Sequence, residues 1–339
     1  MSDERPYHDY PSLTGKAHSH HSFSRPDVIK PPLYVVTTVF NPIRWRSRWK
    51  LYDDFVRMVE ASGAILYTVE VAFGEREFAV TEAGNPRHLQ LRTSHELWIK
   101  ENSLNLMIQR LPADWKYVAW IDADVHFVRP DWANETLHQL QHHDFVQMWT
   151  EAHDLRANHE LLTTHNGFVW CWQRGLTDFY PKENGYYGAP QGLKKYYWHP
   201  GYAWAARRSA LEAVGGLVDW SILGGGDLYM ARLLTGVSRV LPKSLGPVGQ
   251  QWLKTWGDRA DRAIRQNVGV VEGGVLHYWH GPKASRSYQD RGQILVAGQF
   301  DPCAHLRKDT QGLWMLDDDA VVLRDGIRKY FRQRNEDQV

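Results

Sequence analysis

The sequence predicts an α/β protein built on an open, mixed sheet flanked by helices, and three observations predict it. Short β-branched and aromatic runs, LYVVTTVF (33–40), AILYTVEVA (64–72) and YVAWI (117–121), alternate with stretches of helical period. The first two runs enclose a segment in which Trp49, Tyr52, Phe55, Val56 and Val59 recur at threes and fours up to Gly63. That is a β-α-β unit, whose strands should be parallel. The third run leads straight into Asp122-Ala123-Asp124, and open α/β sheets place their ligands beyond the carboxyl ends of the strands.

Residues 1–32 carry five prolines and histidines at 8, 18, 20 and 21 with no periodicity, and read as a disordered arm. Order begins at Leu33. Thr93-x-x-Glu96 has the pattern of a capping box, opening a helix to about Leu111. The stretch 150–200 is rich in Trp, Tyr, His and Gly with few clear periods, and reads as an aromatic-rich subregion. An Ala-rich helix over 207–214 ends at Gly215-Gly216, and another starts after the glycines at 224–226. In LRDGIRKYFRQR (323–334), Leu323, Ile327, Tyr330 and Phe331 fall on one side, a closing helix. The division read from these shifts is 1–32, 33–149, 150–300 and 301–339, with 33–300 forming a single large domain.

Composition excludes several classes. With 40 Lys+Arg against 39 Asp+Glu in 339 residues the net charge is +1, so a uniformly basic nucleic-acid coat is excluded. Two cysteines, Cys171 and Cys303, build neither a disulfide scaffold nor a Cys zinc site and fit a reducing compartment. No apolar run is long enough to span a bilayer, and the first residues lack a leader's apolar core. The expectation is a cytoplasmic protein with no membrane and no protein partner. Sixteen Trp and sixteen Tyr are the outlier: such rings fill cores, and they also stack on sugars and bases.

Two carboxylates two residues apart at a strand's end can approach one divalent cation, and hard oxygen ligands suit Mg²⁺ or Mn²⁺. Alone, Asp-x-Asp is also a common surface turn. In order along the chain stand Thr37 and Asn41 at the first strand's exit, Asp122-x-Asp124, HPGYAWAARRSALEAVGGL (199–217), ILGGGD (222–227) and HYWHG (277–281). This combination, over about 33–300, resembles glycosyltransferases of the GT-A fold, and more narrowly phage-encoded members that modify DNA bases. The turn departs from the common pattern: Gly225-Gly226-Asp227 lacks the Glu of a Glu-Asp pair.

The resemblance implies a Rossmann-like GT-A sheet, a nucleotide-sugar-binding half over 33–149, an acceptor-binding and catalytic half over 150–300, and a C-terminal extension. It implies Asp122, Asp124 and His280 as ligands of Mn²⁺ or Mg²⁺, with His277 left as a structural residue. Asp227 would be the catalytic base, with Asp219 the substitute; Asp227 preceding LYMARLL also reads as a helix cap. Thr37, Asn41, Arg44, Lys100, Asn105, Ala123, Lys283 and Arg286 would bind the donor, with Arg291 at the diphosphate, Asn102 on the donor-contacting helix, and Arg46, Arg48 and Lys50 meeting nucleotide phosphates or an acidic acceptor. Trp170, Trp198, Tyr202, Trp204, Gly225 and Gly226 would meet the acceptor. The implied reaction is inverting transfer from a nucleotide sugar, a UDP-sugar first, to a hydroxyl, with 5-hydroxymethylated cytosine or uracil in phage DNA as acceptor. A surface or capsular glycan is the other acceptor. A non-catalytic sugar-binding module and a metal-dependent phosphohydrolase are the readings from other classes; the second would need more carboxylates than the first half supplies.

Overall fold

The computed structural model describes residues 31–176, 198–238, 240–286 and 290–338; the expected arm lies outside them except for its last two residues. Strand β1 (Leu33–Phe40) is followed by α1 (Arg46–Ala61), β2 (Ile65–Phe73), β3 (His88–Thr93), α2 (Lys100–Ile108) and β4 (Tyr117–Ile121). Next come β5 (Val125–Phe127), α3 (Trp132–Gln139), β6 (Phe145–Gln147), β7 (Glu151–Leu155), β8 (Leu161–Gly167) and α4 (Phe168–Gln173). Beyond 198 lie β9 (Trp198–His199), β10 (Ala203–Arg207), α5 (Arg208–Val214), α6 (Gly226–Thr235) and α7 (Gly246–Ala263). The remainder is β11 (Val268–Val270), β12 (Gly274–His277), α8 (Gly292–Ala297), α9 (Pro302–His305), β13 (Leu306–Lys308), β14 (Trp314–Leu316) and α10 (Val321–Gln333).

The fold is the mixed α/β class the alternation predicts. A seven-stranded sheet runs β11-β6-β10-β4-β1-β2-β3, parallel throughout except for β10, which is antiparallel to both neighbours. Central β1 is buried on both faces, as a near-continuous apolar run requires. Its alternate residues feed different cores. Tyr34, Val36 and Phe40, with Val118 and Trp120 of β4, pack under α2, α5, α6, α7 and α10. Leu33 and Val35, with Ala119 and Ile121, pack under α1 and α3. The helices expected before Gly63, at 207–214, after the glycines at 224–226 and at 323–334 are all present, with Leu323, Ile327, Tyr330 and Phe331 buried in the last.

A second sheet, β5-β12-β7-β8-β9, gathers strands from 125–127, 151–167, 198–199 and 274–277. It gives the aperiodic stretch its frame. These strands are short and paired at long range, so no local period betrays them.

The capping box does not form. Thr93 ends strand β3 and its hydroxyl accepts from the His95 N–H (3.1 Å), while Glu96 reaches across to Arg332 of α10 (2.7 Å). Helix α2 starts only at Lys100. The pairing of Leu89 and Leu91 with β2 claims 88–93 for the sheet, overriding the local cap signal.

One buried carboxylate shapes the loop beside β1. Glu70 of β2 accepts the N–H groups of Ala79 (2.6 Å), Val80 (3.0 Å) and Thr81 (2.9 Å) and the Thr81 hydroxyl (2.7 Å). Glu70→Ala strips all four donors of their acceptor and is expected to lower unfolding free energy by about 2–3 kcal/mol in urea. An unshifted urea midpoint would show that water satisfies the loop equally well.

Candidate functional site

The acidic turn is fixed by backbone pairing on every side. The Thr37 hydroxyl donates to the Ile121 carbonyl (2.8 Å), tying β1 to the point where β4 leaves the sheet. The Asp122 N–H then donates to the Tyr202 carbonyl (2.8 Å), and the Tyr278 N–H to the Asp124 carbonyl (2.9 Å). The two aspartates therefore serve different walls of one cleft, which both line. Asp122 forms an ion pair with Lys100 at the start of α2. Asp124 turns the other way, its Oδ2 3.1 Å from His280 Nε2.

His280 is joined there by His277, whose Nε2 is 3.0 Å from His280 Nε2. Ligand atoms of Asp124, His277 and His280 all lie within 4.8 Å of one another. Asp124 Oδ1 is buried without a hydrogen-bond partner among the described residues, an expensive state for an isolated carboxylate oxygen. One carboxylate and two imidazoles around such an atom fit a divalent cation. Burial, reinforced by Arg286, pushes His280 down to about 4, so its imidazole is neutral at neutral pH, as ligation demands. Burial alone would raise Asp124, but His280, His277, Arg286 and Arg48 outweigh it and hold its carboxyl below the usual range. His277, read from sequence as structural, is one of three side chains that could hold a cation. Asp122, expected as a ligand, forms an ion pair with Lys100.

Arginines line the cleft beside this group: Arg48 of α1, Arg286, Arg291 and Arg334. They are organised by the C-terminal residues. Glu336 is fully buried and accepts from Arg48 Nε (2.5 Å) and Nη2 (2.8 Å) and from Arg334 Nε (2.6 Å). Asp337 accepts the N–H groups of Arg46 (2.9 Å) and Ser47 (3.0 Å) at the start of α1, where a helix dipole favours negative charge. Buried, Glu336 would rise, yet Arg48 and Arg334 hold it well below the usual carboxylate range.

Asp227 lines the same cleft, on the first turn of α6. Gly224 (φ +77°) and Gly225 (φ +95°) take left-handed conformations that bring the chain sharply into that helix. Asp227 Oδ1 accepts the Leu228 N–H (2.8 Å). Its Oδ2 and His199 Cε1 both press on Gly201, where any Cβ would stand 2.7 Å from each. Burial would lower Lys100, but Asp122, Asp227 and Glu101 outweigh it and hold the ammonium above its ordinary range. Glu101, which the sequence reading passed over, is buried, lines the cleft and packs against the backbone of Gly226.

Of the residues expected in the site, Asp122, Ala123, Asp124, Asp227, Lys100, His280, Arg286, Tyr202 and Gly225 line one cleft. Others do not reach it. Thr37 is buried in the β1–β4 tie. Asn105 brackets the Leu217 backbone through both amide atoms (3.0 Å each), and Asn102 holds Gly312 and Trp314. Asn41 pairs with the Trp45 backbone, and with Arg44 it lines a separate groove over Glu70–Ala79, where Arg44 lies above Trp49. Trp204 donates to the Pro200 carbonyl (2.6 Å) within the core, Trp198 is buried in β9, and Trp170 is covered by Arg174 at 4.1 Å. Gly226 sits against Glu101, and Asp219 pairs with Lys308 away from the cleft (3.3 Å). The Lys283 side chain lies outside the described residues. Arg334, Glu336, Trp98 and His199 line or brace the cleft without having been expected there, whereas Arg48 and Arg291, expected to meet phosphates, line it as well. The first histidine of HYWHG, His277, carries a usable signal, since i and i+3 can converge at a turn; for Glu336, sequence offers none.

No protein-family model matches the chain, and no curated protein matches it. Among solved structures it is similar to a mannosyltransferase from Pyrobaculum calidifontis in complex with GDP-Man and Mn²⁺ (14% identity, TM-score 0.37, 78% of this chain and 61% of that one). It is also similar to mannosyl-3-phosphoglycerate synthase from Rubrobacter xylanophilus (13%, TM-score 0.37, 85% and 87%). A third is glucosyl-3-phosphoglycerate synthase from Mycobacterium tuberculosis with Mn²⁺, UDP-glucose and phosphoglyceric acid (11%, TM-score 0.35, 84% and 86%). Among the described residues no helix is long and apolar enough to cross a membrane.

Burial, opposed by Lys100 and reinforced by Asp227, pushes Glu101 up to about 8. A carboxyl whose folded pKa is raised contributes stability below its unfolded pKa and loses it as pH rises through the folded value. Between about pH 5 and about pH 8.5 the unfolding free energy of wild type should fall relative to Glu101→Gln by more than the ~1.4 kcal/mol of one pKa unit. Parallel pH profiles in chemical denaturation would contradict this.

Proposed function

We propose that the chain is a metal-dependent glycosyltransferase that moves a sugar from a nucleotide sugar to a hydroxyl. The carrying observation is the convergence, in one cleft at the carboxyl end of β4, of a candidate cation group, four arginines and Asp227. Asp124, His277 and His280 would hold Mn²⁺ or Mg²⁺, which when bound supplies charge neutralisation to a diphosphate. Arg48, Arg286, Arg291 and Arg334 hold the diphosphate oxygens and stabilise the charge that grows on them as the glycosidic bond breaks. Lys100, paired with Asp122, orients the sugar. Asp227 takes the proton of the acceptor hydroxyl as that oxygen bonds the anomeric carbon. A base placed opposite the leaving diphosphate would make the transfer a single inverting displacement.

The groove containing Asn41 and Arg44 shares Val39 with the cleft, and there the donor's nucleoside extends. On this reading 33–149 serves the donor and 150–300 the acceptor, and a UDP-sugar is the first donor to try. The favoured acceptor is hydroxymethylated cytosine or uracil in DNA, supported by the resemblance to phage-encoded enzymes, with action in the host cytoplasm. Of the four rings expected to meet it, Tyr202 lines the cleft.

The test is release of free nucleoside diphosphate from a panel of nucleotide sugars with Mn²⁺, with and without chelator. Asp124→Ala should abolish release, and Asp227→Asn should keep donor binding while cutting turnover by roughly a hundred- to ten-thousandfold. Undiminished turnover in Asp227→Asn would reassign the base. Donor binding without release under every condition would make the chain a binding module. A mass shift of hydroxymethylated DNA supports the nucleic-acid acceptor, whereas a shift of a glycan primer alone replaces it.

A further inference from the structure

We infer that Asp154 is a positioning residue for the cation group: it holds the His277 imidazole with Nδ1 protonated, leaving Nε2 bare and aimed at Asp124 and His280. The inference rests on the reading of Asp124, His277 and His280 as ligands, and it explains how His277 comes to be one.

Strands β7 and β12 run parallel with Asp154 directly opposite His277, so both side chains leave the second sheet on one face. Asp154 is 2% exposed, and its Oδ1 lies 2.6 Å from His277 Nδ1. An ionised carboxylate only accepts, so Nδ1 carries the proton and the lone pair of His277 sits on Nε2. That nitrogen is 3.0 Å from His280 Nε2, at the mouth of the group. The carboxylate is itself fixed from two other elements. The Tyr202 hydroxyl, on the approach to β10, donates to Oδ1 (3.1 Å), and His165 Nδ1 of β8 lies 3.4 Å from Oδ2. Tyr202 also packs its ring on His277, with centroids 4.6 Å apart. Asp154 therefore joins the two sheets at the site. It sets the tautomer and the rotation of the imidazole and raises its basicity, which is how outer carboxylates tune histidine ligands.

A role confined to bracing the two sheets would alter stability and leave metal affinity alone. Mn²⁺ is therefore titrated into wild type, Asp154→Asn and Asp154→Ala, with free Mn²⁺ read by electron paramagnetic resonance and thermal melting recorded in chelator. Affinity should fall about ten- to a hundredfold in Asp154→Ala and less in Asp154→Asn, which keeps an acceptor oxygen. A folded Asp154→Ala that binds Mn²⁺ like wild type overturns the inference. Should that variant fail to fold, nitrogen-15 correlation spectra of metal-free wild type decide: the Nδ1–H tautomer at His277 is expected, and Nε2–H overturns it. Wild type that takes up no Mn²⁺ overturns the proposed function along with this inference. Uptake that Asp124→Ala abolishes and the Asp154 variants preserve overturns this inference alone.

Discussion

A carboxylate withdrawn from water needs partners, and the way Asp124 finds them organises the cleft. One of its oxygens faces His280 and the other is buried without a hydrogen bond among the described residues. That oxygen makes sense beside a cation, since leaving a buried charge half satisfied is costly. The imidazoles that complete the group must stay neutral, and the low pKa of His280 comes from its burial and from Arg286 alongside. Of the arginines lining the cleft, Arg48 and Arg334 are paired with the buried Glu336 carboxylate.

Charge is thus layered across the site. The Asp124 carboxylate lies beside His280, and Glu336 touches both His280 (3.8 Å) and the Arg48 and Arg334 guanidinium groups. On the opposite wall Lys100 binds Asp122 next to Asp227. This separation lets two aspartates that are two residues apart do different work, one toward a cation and one toward a cation-bearing side chain. The backbone bonds from Asp122 to Tyr202 and from Tyr278 to Asp124 make that divergence rigid.

Sequence disclosed the parts that depend on local period and lost those that depend on long-range pairing. Strands β1, β2 and β4 and helices α1, α5, α6 and α10 announce themselves through apolar spacing and glycine stops, because each buries one face or both. Strand β3 hid behind a capping-box pattern, and the second sheet was invisible, since β5, β7, β9 and β12 are two to five residues long. In the site, Asp122, Asp124, Lys100 and Asp227 were legible from their places after a strand, on a helix start and after a glycine turn. His277 was set aside because one histidine seemed enough; its partner Asp154 sits 123 residues away. Thr37, Asn105 and Trp204 were drawn into the site by sequence proximity, yet each spends its polar atom on backbone.

The central claim is that a single divalent cation is held by Asp124, His277 and His280. Diffraction from crystals soaked in Mn²⁺, with anomalous data recorded at its absorption edge, tests it most directly. The account predicts one strong peak lying between those three side chains, within ligand distance of Asp124 Oδ1 or Oδ2. A difference map empty there, or a peak seated between Asp122 and Asp227 instead, would contradict it.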